Sequence, residues 1–275
     1  MVSATKLDAR NTIGRLKGLS AEESWEIIPE TTILLGFRGS IAHGLYVPPS
    51  DPNSIDDKDL MGVYIGPPEH YIGFPRRTCD KALEYMREPW DIVHYEVRKF
   101  FSLLLKQNPN VMGLLWLDET LYKYVGLWGE AMIRRRDWFA SREAYYSFVG
   151  YARSQLSRME RFEHHGRMGA KRKALVELHG YDTKNAAHLI RLLRMGIEYL
   201  RDGELRVLRT HDAQELQDIK AGRWDMDRVK EYAADLFDVA ESAHQNSPLP
   251  PKPDRARAER MLMQILADSL DTSEY

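Results

Sequence analysis

The 275-residue chain is 43% hydrophobic and 29% charged, with a formal net charge of −2. That composition excludes global disorder, a collagen-like repeat and a disulfide scaffold. The single cysteine, Cys79, can form neither an internal disulfide nor a multi-thiolate metal site, and points to a reducing compartment.

In chain order, Met1 to Gly18 is charged throughout and lacks a signal-peptide core. Ala21 to Ile28 reads as a short amphipathic helix with Ser20 as its N-cap. Thr31 to Phe37 is a compact, β-branched apolar run that predicts a buried strand closed by a Gly39-Ser40 turn. Val47 to Ile55, dense in Pro, Ser, Asp and Asn, predicts a loop. Asp59 to Ile65 resumes as a strand, Lys81 to Met86 is a third, and Asp91 to Tyr95 a fourth that runs into a helix, Val97 to Gln107. Asn108-Pro109-Asn110 ends that helix, because the residue before proline resists helical geometry. A short helix and a possible strand follow over Val111 to Leu117.

Beyond about Leu127 the periodicity is helical. Expected helices are Leu127–Arg136, Arg142–His164, Met168–Leu178, Thr183–Asp202, Ala213–Ala221, Met226–His244 and Asp254–Leu270, with a proline-rich spacer at Ser247 to Pro253. The expected fold is α+β: a small mixed sheet in a catalytic domain over 1–125, then an all-helical domain over 126–275 that binds nucleotide or substrate. No stretch reaches the roughly 18 apolar residues of a membrane span. The protein is expected to be soluble and cytoplasmic, without a membrane partner, and a local basic surface for nucleic acid is compatible with its balanced charge.

Three features of the first half belong together. A glycine turn at Gly39-Ser40, following a strand, lets backbone N–H groups approach a phosphate. Asp57 and Asp59 flank Lys58 at the entry to an extended segment, where residues two apart share a face. Asp91 starts another strand and supplies a third carboxylate. Three carboxylates on neighbouring strands suit two hard divalent cations, Mg²⁺ or Mn²⁺, and in-line displacement at phosphorus. Asp91, near the nucleophile, either accepts its proton or orients it.

On the helix from Thr183 to Asp202, Lys184, His188, Arg191 and Met195 form one stripe beside an apolar face, with Asp182 as its N-cap. That stripe is expected to grip a triphosphate or an RNA phosphate; the alternative is a solvated edge. Arg167, Lys171, Arg172 and Lys173 form a second basic segment, read as a solvated helix face, with a track for a nucleic-acid backbone as the alternative. His164-His165 has no third ligand spaced to join it. The tryptophans read as core or cleft-wall residues, since none stands in an aromatic-basic alternation along the chain.

The run Gly36-Phe37-Arg38-Gly39-Ser40-Ile41-Ala42-His43-Gly44-Leu45, followed by Asp57-Lys58-Asp59-Leu60-Met61-Gly62-Val63-Tyr64, resembles the signature of DNA polymerase beta superfamily nucleotidyltransferases. More narrowly it resembles the RNA-repair-pathway, polymerase-beta-like family, and Asp91 to Asn110 and Tyr181 through Arg194 extend the likeness to both halves. The resemblance implies that Gly39 and Ser40 hold nucleotide phosphates and that Asp57, Asp59 and Asp91 hold the metals. It implies transfer of a nucleoside monophosphate from a nucleoside triphosphate to an acceptor hydroxyl on an RNA end, tRNA-like or broken. A protein acceptor, or a silent nucleotide-binding cleft, are the competing readings. Where the family usually carries basic residues, this chain has Ile41 and Met61, and its connection from Ser40 to Asp57 is longer than usual.

Overall fold

The computed structural model describes residues 28–48, 50–51, 54, 56–72, 74, 82–87, 90–160 and 170–271. Residues 21–27 of the expected first helix, Cys79, His164, His165 and Arg167 lie outside them. The fold is α+β, a five-stranded mixed sheet followed by a helical region.

The strands are β1 (Thr32–Phe37), β2 (Lys58–Tyr64), β3 (Leu83–Arg87), β4 (Trp90–Glu96) and β5 (Tyr122–Val125), in the order β3-β4-β2-β1-β5. β2 and β4 run parallel, and every other pair is antiparallel. Alternation divides the side chains of β2 and β4 between two faces. Met61, Val63 and Val93 enter the large core, whereas Leu60 and Ile92 join Leu35 and Ile28 in a smaller cluster on the opposite face.

Short helix α1 (Gly39–Ala42) follows β1, and α2 (Val97–Leu105) follows β4. Buried Glu96 starts α2 by accepting the Lys99 backbone N–H at 3.1 Å, an N-cap that satisfies a donor the helix cannot. The helix expected to reach Gln107 ends at Leu105, Gln107 turns into the left-handed region at φ 54°, and Pro109 opens the next, α3 (Pro109–Met112), with Asn108 as N-cap. The remainder of the Val111 to Leu117 run is a 3₁₀ turn, Gly113–Trp116, rather than a strand. The run is buried on every side, so its apolar continuity carried no period with which to tell strand from helix. The fifth strand is β5 instead, whose alternating Tyr122-Lys123-Tyr124-Val125 lies at a sheet edge.

The helical region holds α4 (Leu127–Arg134), α5 (Ala144–Glu160), α6 (Ala170–His179), α7 (Thr183–Asp202), α8 (Ala213–Lys220), α9 (Met226–Gln245) and α10 (Arg255–Asp271). α7 is the central rod, packed against α5, α8 and α9. Asp182 caps its start by accepting the Asn185 N–H. Gly203 ends it in the left-handed region, φ 75°, returning its N–H to the Tyr199 carbonyl at 2.8 Å. One apolar cluster runs from β1 through α7 to α10, so sheet and helices share a core. That core holds the stripe on α7 against the strand ends. Among the described residues no helix is long and apolar enough to cross a membrane.

Candidate active site

A cleft of about 330 Å³ opens between the sheet and α7, a size within the range of small-ligand sites. Its floor is the turn after β1. Gly39 has φ +62°, and a methyl group there would overlap the Asp59 carboxylate, so backbone strain and space both require glycine. The Ser40 Oγ behind it is buried with no hydrogen-bond partner among the described residues. A buried hydroxyl of that kind is normally satisfied, and Ser40 lines the cleft together with Gly39 and Asp59.

Asp59 and Asp91 stand opposite each other in the parallel β2–β4 register. The Arg38 guanidinium spans them, 2.9 Å from Asp91 and 3.9 Å from Asp59. Burial pushes Asp59 up to about 6; Arg38 opposes the shift, and the charges of Asp91 and Asp57 add to it. Asp57, one residue before β2, is exposed, and both it and Asp91 lie outside the cleft lining. Among the described residues no three acidic, His or Cys side chains converge into a preformed metal cluster. Register thus brings Asp59 and Asp91 together, and leaves Asp57 at the rim.

The facing wall is α7, whose Lys184, His188, Arg191 and Met195 all line the cleft. His188 is pushed down to about 3, first by burial and then by the charges of Arg191, Arg172 and Lys184. It is neutral at physiological pH, and its ring meets Tyr151 edge-on at 5.5 Å. Burial and then Arg209 push Arg191 down to about 9, so it stays cationic near neutrality. Arg191 Nη1 contacts His43 Nε2, while His43 Nδ1 lies 2.9 Å from the Val207 carbonyl. A carbonyl only accepts, so Nδ1 carries the proton and Nε2 offers its lone pair to Arg191. Burial, followed by Arg191, holds the His43 pKa well below its ordinary value, consistent with that neutral ring.

Several residues of the site are silent in sequence. Asp56, with a side chain only 1% exposed, pairs with Lys220 of α8, lies 3.5 Å from Lys184 and accepts the Val47 N–H at 3.0 Å. It therefore ties the Pro-rich loop to two helices. Arg172, from the second basic segment, forks onto Asp182 and reaches Asn185 at the cleft edge. Only its neighbourhood to other basic residues was legible. Behind the cleft, fully buried Arg209 holds Glu198 at 2.6 and 2.8 Å and Asp212 at 2.8 and 3.0 Å. Its backbone N–H donates to the His43 carbonyl at 3.2 Å, fastening the loop after α7 to the motif segment.

Residues 15–264 match RlaP, the RNA repair pathway DNA polymerase beta family. The chain belongs to that family. No curated protein matches it significantly. Membership in the RNA repair pathway DNA polymerase beta family suggests a polymerase-beta-like nucleotidyltransferase. In this member of the RNA repair pathway family, Met61 is buried and lines the cleft, whereas Ile41 does not line it. The cleft's cations come from Arg38, Arg172, Lys184, Arg191 and Lys220.

Proposed function

We propose that the chain transfers a nucleoside monophosphate from a nucleoside triphosphate to an acceptor hydroxyl, most naturally on an RNA end. The observation that carries this reading is the in-register pair Asp59 and Asp91, of which Asp59 lines a cleft floored by Gly39 and Ser40 and walled by the cationic face of α7.

In this reading the triphosphate lies on the Gly39-Ser40 turn, where Ser40 Oγ and the free N–H groups of the turn donate to it. Lys184 and Arg191 neutralise its charge from α7, and Arg191 is kept in place by the neutral His43 ring. His188, uncharged, offers a hydrogen bond without a competing proton. The acceptor oxygen attacks the α-phosphorus in line, the new O–P bond forms, and the bond to the β-phosphate bridging oxygen breaks. Pyrophosphate leaves with that electron pair, and Asp91 receives or orients the hydroxyl proton.

The hard oxygen donors of Asp59 and Asp91, and of Asp57 at the rim, fit a divalent cation such as Mg²⁺ or Mn²⁺. When bound, such a cation would supply charge neutralisation and a lowered pKa at the attacking hydroxyl. Arg38, which now spans Asp59 and Asp91, would have to release them. The division into a catalytic part, 1–125, and a nucleotide- or substrate-binding part, 126–275, belongs to the same proposal.

The test is to incubate purified protein with each labelled nucleoside triphosphate, Mg²⁺ or Mn²⁺, and total RNA, with Asp57→Asn and Asp59→Asn in parallel. Label on RNA with the wild type alone is the expected result. Label on protein, or none with an intact fold, would overturn the RNA acceptor.

A further inference from the structure

The sheet carries a second feature beside the cleft, on the face opposite Asp59 and Asp91. The Phe37 and Trp90 rings lie parallel, 14° apart in plane with centroids 6.4 Å apart. Lys58 Nζ sits 5.2 Å over the Trp90 ring and Lys123 Nζ 4.5 Å over Phe37. No sequence pattern announces this group. Lys58 and Trp90 are paired by the β2–β4 register, Phe37 ends β1, and Lys123 comes from edge strand β5. All four residues are half-buried, and the aromatic pair rests on the smaller apolar cluster.

Two ammonium groups share this rim. Burial and then the Lys58 charge hold Lys123 below its ordinary pKa, and two cations so placed favour an anion between them. Flat rings beside clustered lysines are the chemistry of single-stranded nucleic-acid surfaces, where bases stack and phosphates meet ammonium groups. The rim is also continuous with the cleft. Phe37 lines the cleft as well, and Lys58 and Trp90 are the immediate chain neighbours of Asp59 and Asp91. Strand alternation turns the carboxylates to one face and the platform to the other.

We propose that Phe37, Trp90, Lys58 and Lys123 form a stacking platform for the unpaired nucleotides of an RNA end, which bends over the sheet rim to place its terminal hydroxyl at Asp59 and Asp91. This rests on the nucleotidyltransferase reading above and gives it an acceptor class: single-stranded nucleic acid. A base stacks on the Phe37–Trp90 pair while the two lysines swing from the rings to the flanking phosphates.

The experiment is fluorescence anisotropy of the full chain, without nucleotide, with a labelled single-stranded RNA 12-mer and with the same sequence as a duplex. Trp90→Leu and the double variant Lys58→Gln/Lys123→Gln are compared with wild type, and nucleoside triphosphate affinity and unfolding midpoint report integrity. Wild type is expected to prefer the single strand. Trp90→Leu should weaken that binding by about tenfold, and the lysine pair should lower the salt-dependence slope by about 1.4. Triphosphate affinity should be unchanged in both. Equal affinity for single strand and duplex, or undiminished single-strand binding in both variants, overturns the platform. Transfer of label to RNA with an unchanged acceptor KM in these variants overturns the platform and leaves the proposed reaction standing. Single-strand binding through Trp90, with label moving only to protein, overturns the RNA-transfer reading and leaves the platform standing.

Discussion

Asp59 and Asp91 face each other across parallel strands, and the Arg38 guanidinium lies between them, 2.9 Å from Asp91 and 3.9 Å from Asp59. Two carboxylates this close repel unless a cation stands by them. In this structure that cation belongs to the protein, which makes the pair sensitive to pH, to Arg38 and to any competing divalent ion.

Burial lifts Asp59 to about 6 from an ordinary 3.8, so the folded chain holds this proton more tightly than the unfolded chain does. The ionised carboxylate therefore weakens the fold above pH 6, and the penalty fades as pH falls from 6 towards 4. In EDTA at pH 8, Asp59→Asn is expected to raise the unfolding midpoint by about 2–6 °C, with the gap closing by pH 4. A lower midpoint at pH 8 would show that the Arg38 contact outweighs burial. With Mg²⁺ or Mn²⁺ present, the same variant should lose transfer by at least about a hundredfold.

Removing the resident guanidinium should open the carboxylates to a competing ion. Arg38→Gln is expected to bind Mn²⁺ several-fold more tightly than wild type by calorimetry, and to unfold at a lower temperature without metal. Weaker Mn²⁺ binding would mean that Arg38 does not compete for the same oxygens.

At Gly39, Ala would have to adopt φ +62° and overlap the Asp59 carboxylate. The expected loss is about 2 kcal/mol or more in urea unfolding, together with weakened nucleoside triphosphate binding. Unchanged stability would show that the turn can relax.

Arg209 is fully buried between Glu198 and Asp212. Arg209→Met leaves those carboxylates without this partner and is expected to cost about 3–5 kcal/mol. The backbone N–H of residue 209 that holds the His43 carbonyl survives this substitution, so a fall in triphosphate affinity would report the loop shifting once its side-chain ion pairs are lost. A stable variant with wild-type affinity would separate the loop from the cleft.

The elements with a clear period were legible in the chain itself. Short apolar runs bounded by turn residues marked β1, β2 and β4, and helical spacing with Asp182 and Gly203 at its ends marked α7. Order and spacing also brought Gly39, Ser40, Asp57, Asp59 and Asp91 into one reading, because strand alternation is a local rule, although Asp57, one residue outside β2, stays exposed at the rim. The four-residue β5 was too short to state a period, and the Val111 to Leu117 run, buried on all sides, had none to state.

What only the tertiary structure decided is which charges meet. Asp56, just past the polar loop, carried no signal of its own, yet it holds Lys220 and neighbours Lys184 from distant helices. Trp90 had no basic neighbour in an alternating run, yet β2–β4 register sets Lys58 over its ring. Arg38 carried no signal of the carboxylate it would touch on β4. Local sequence sets which way a side chain points through the period of its own element. Its partner depends on long-range pairing and packing, where burial of the shared core chooses the register and the charges follow.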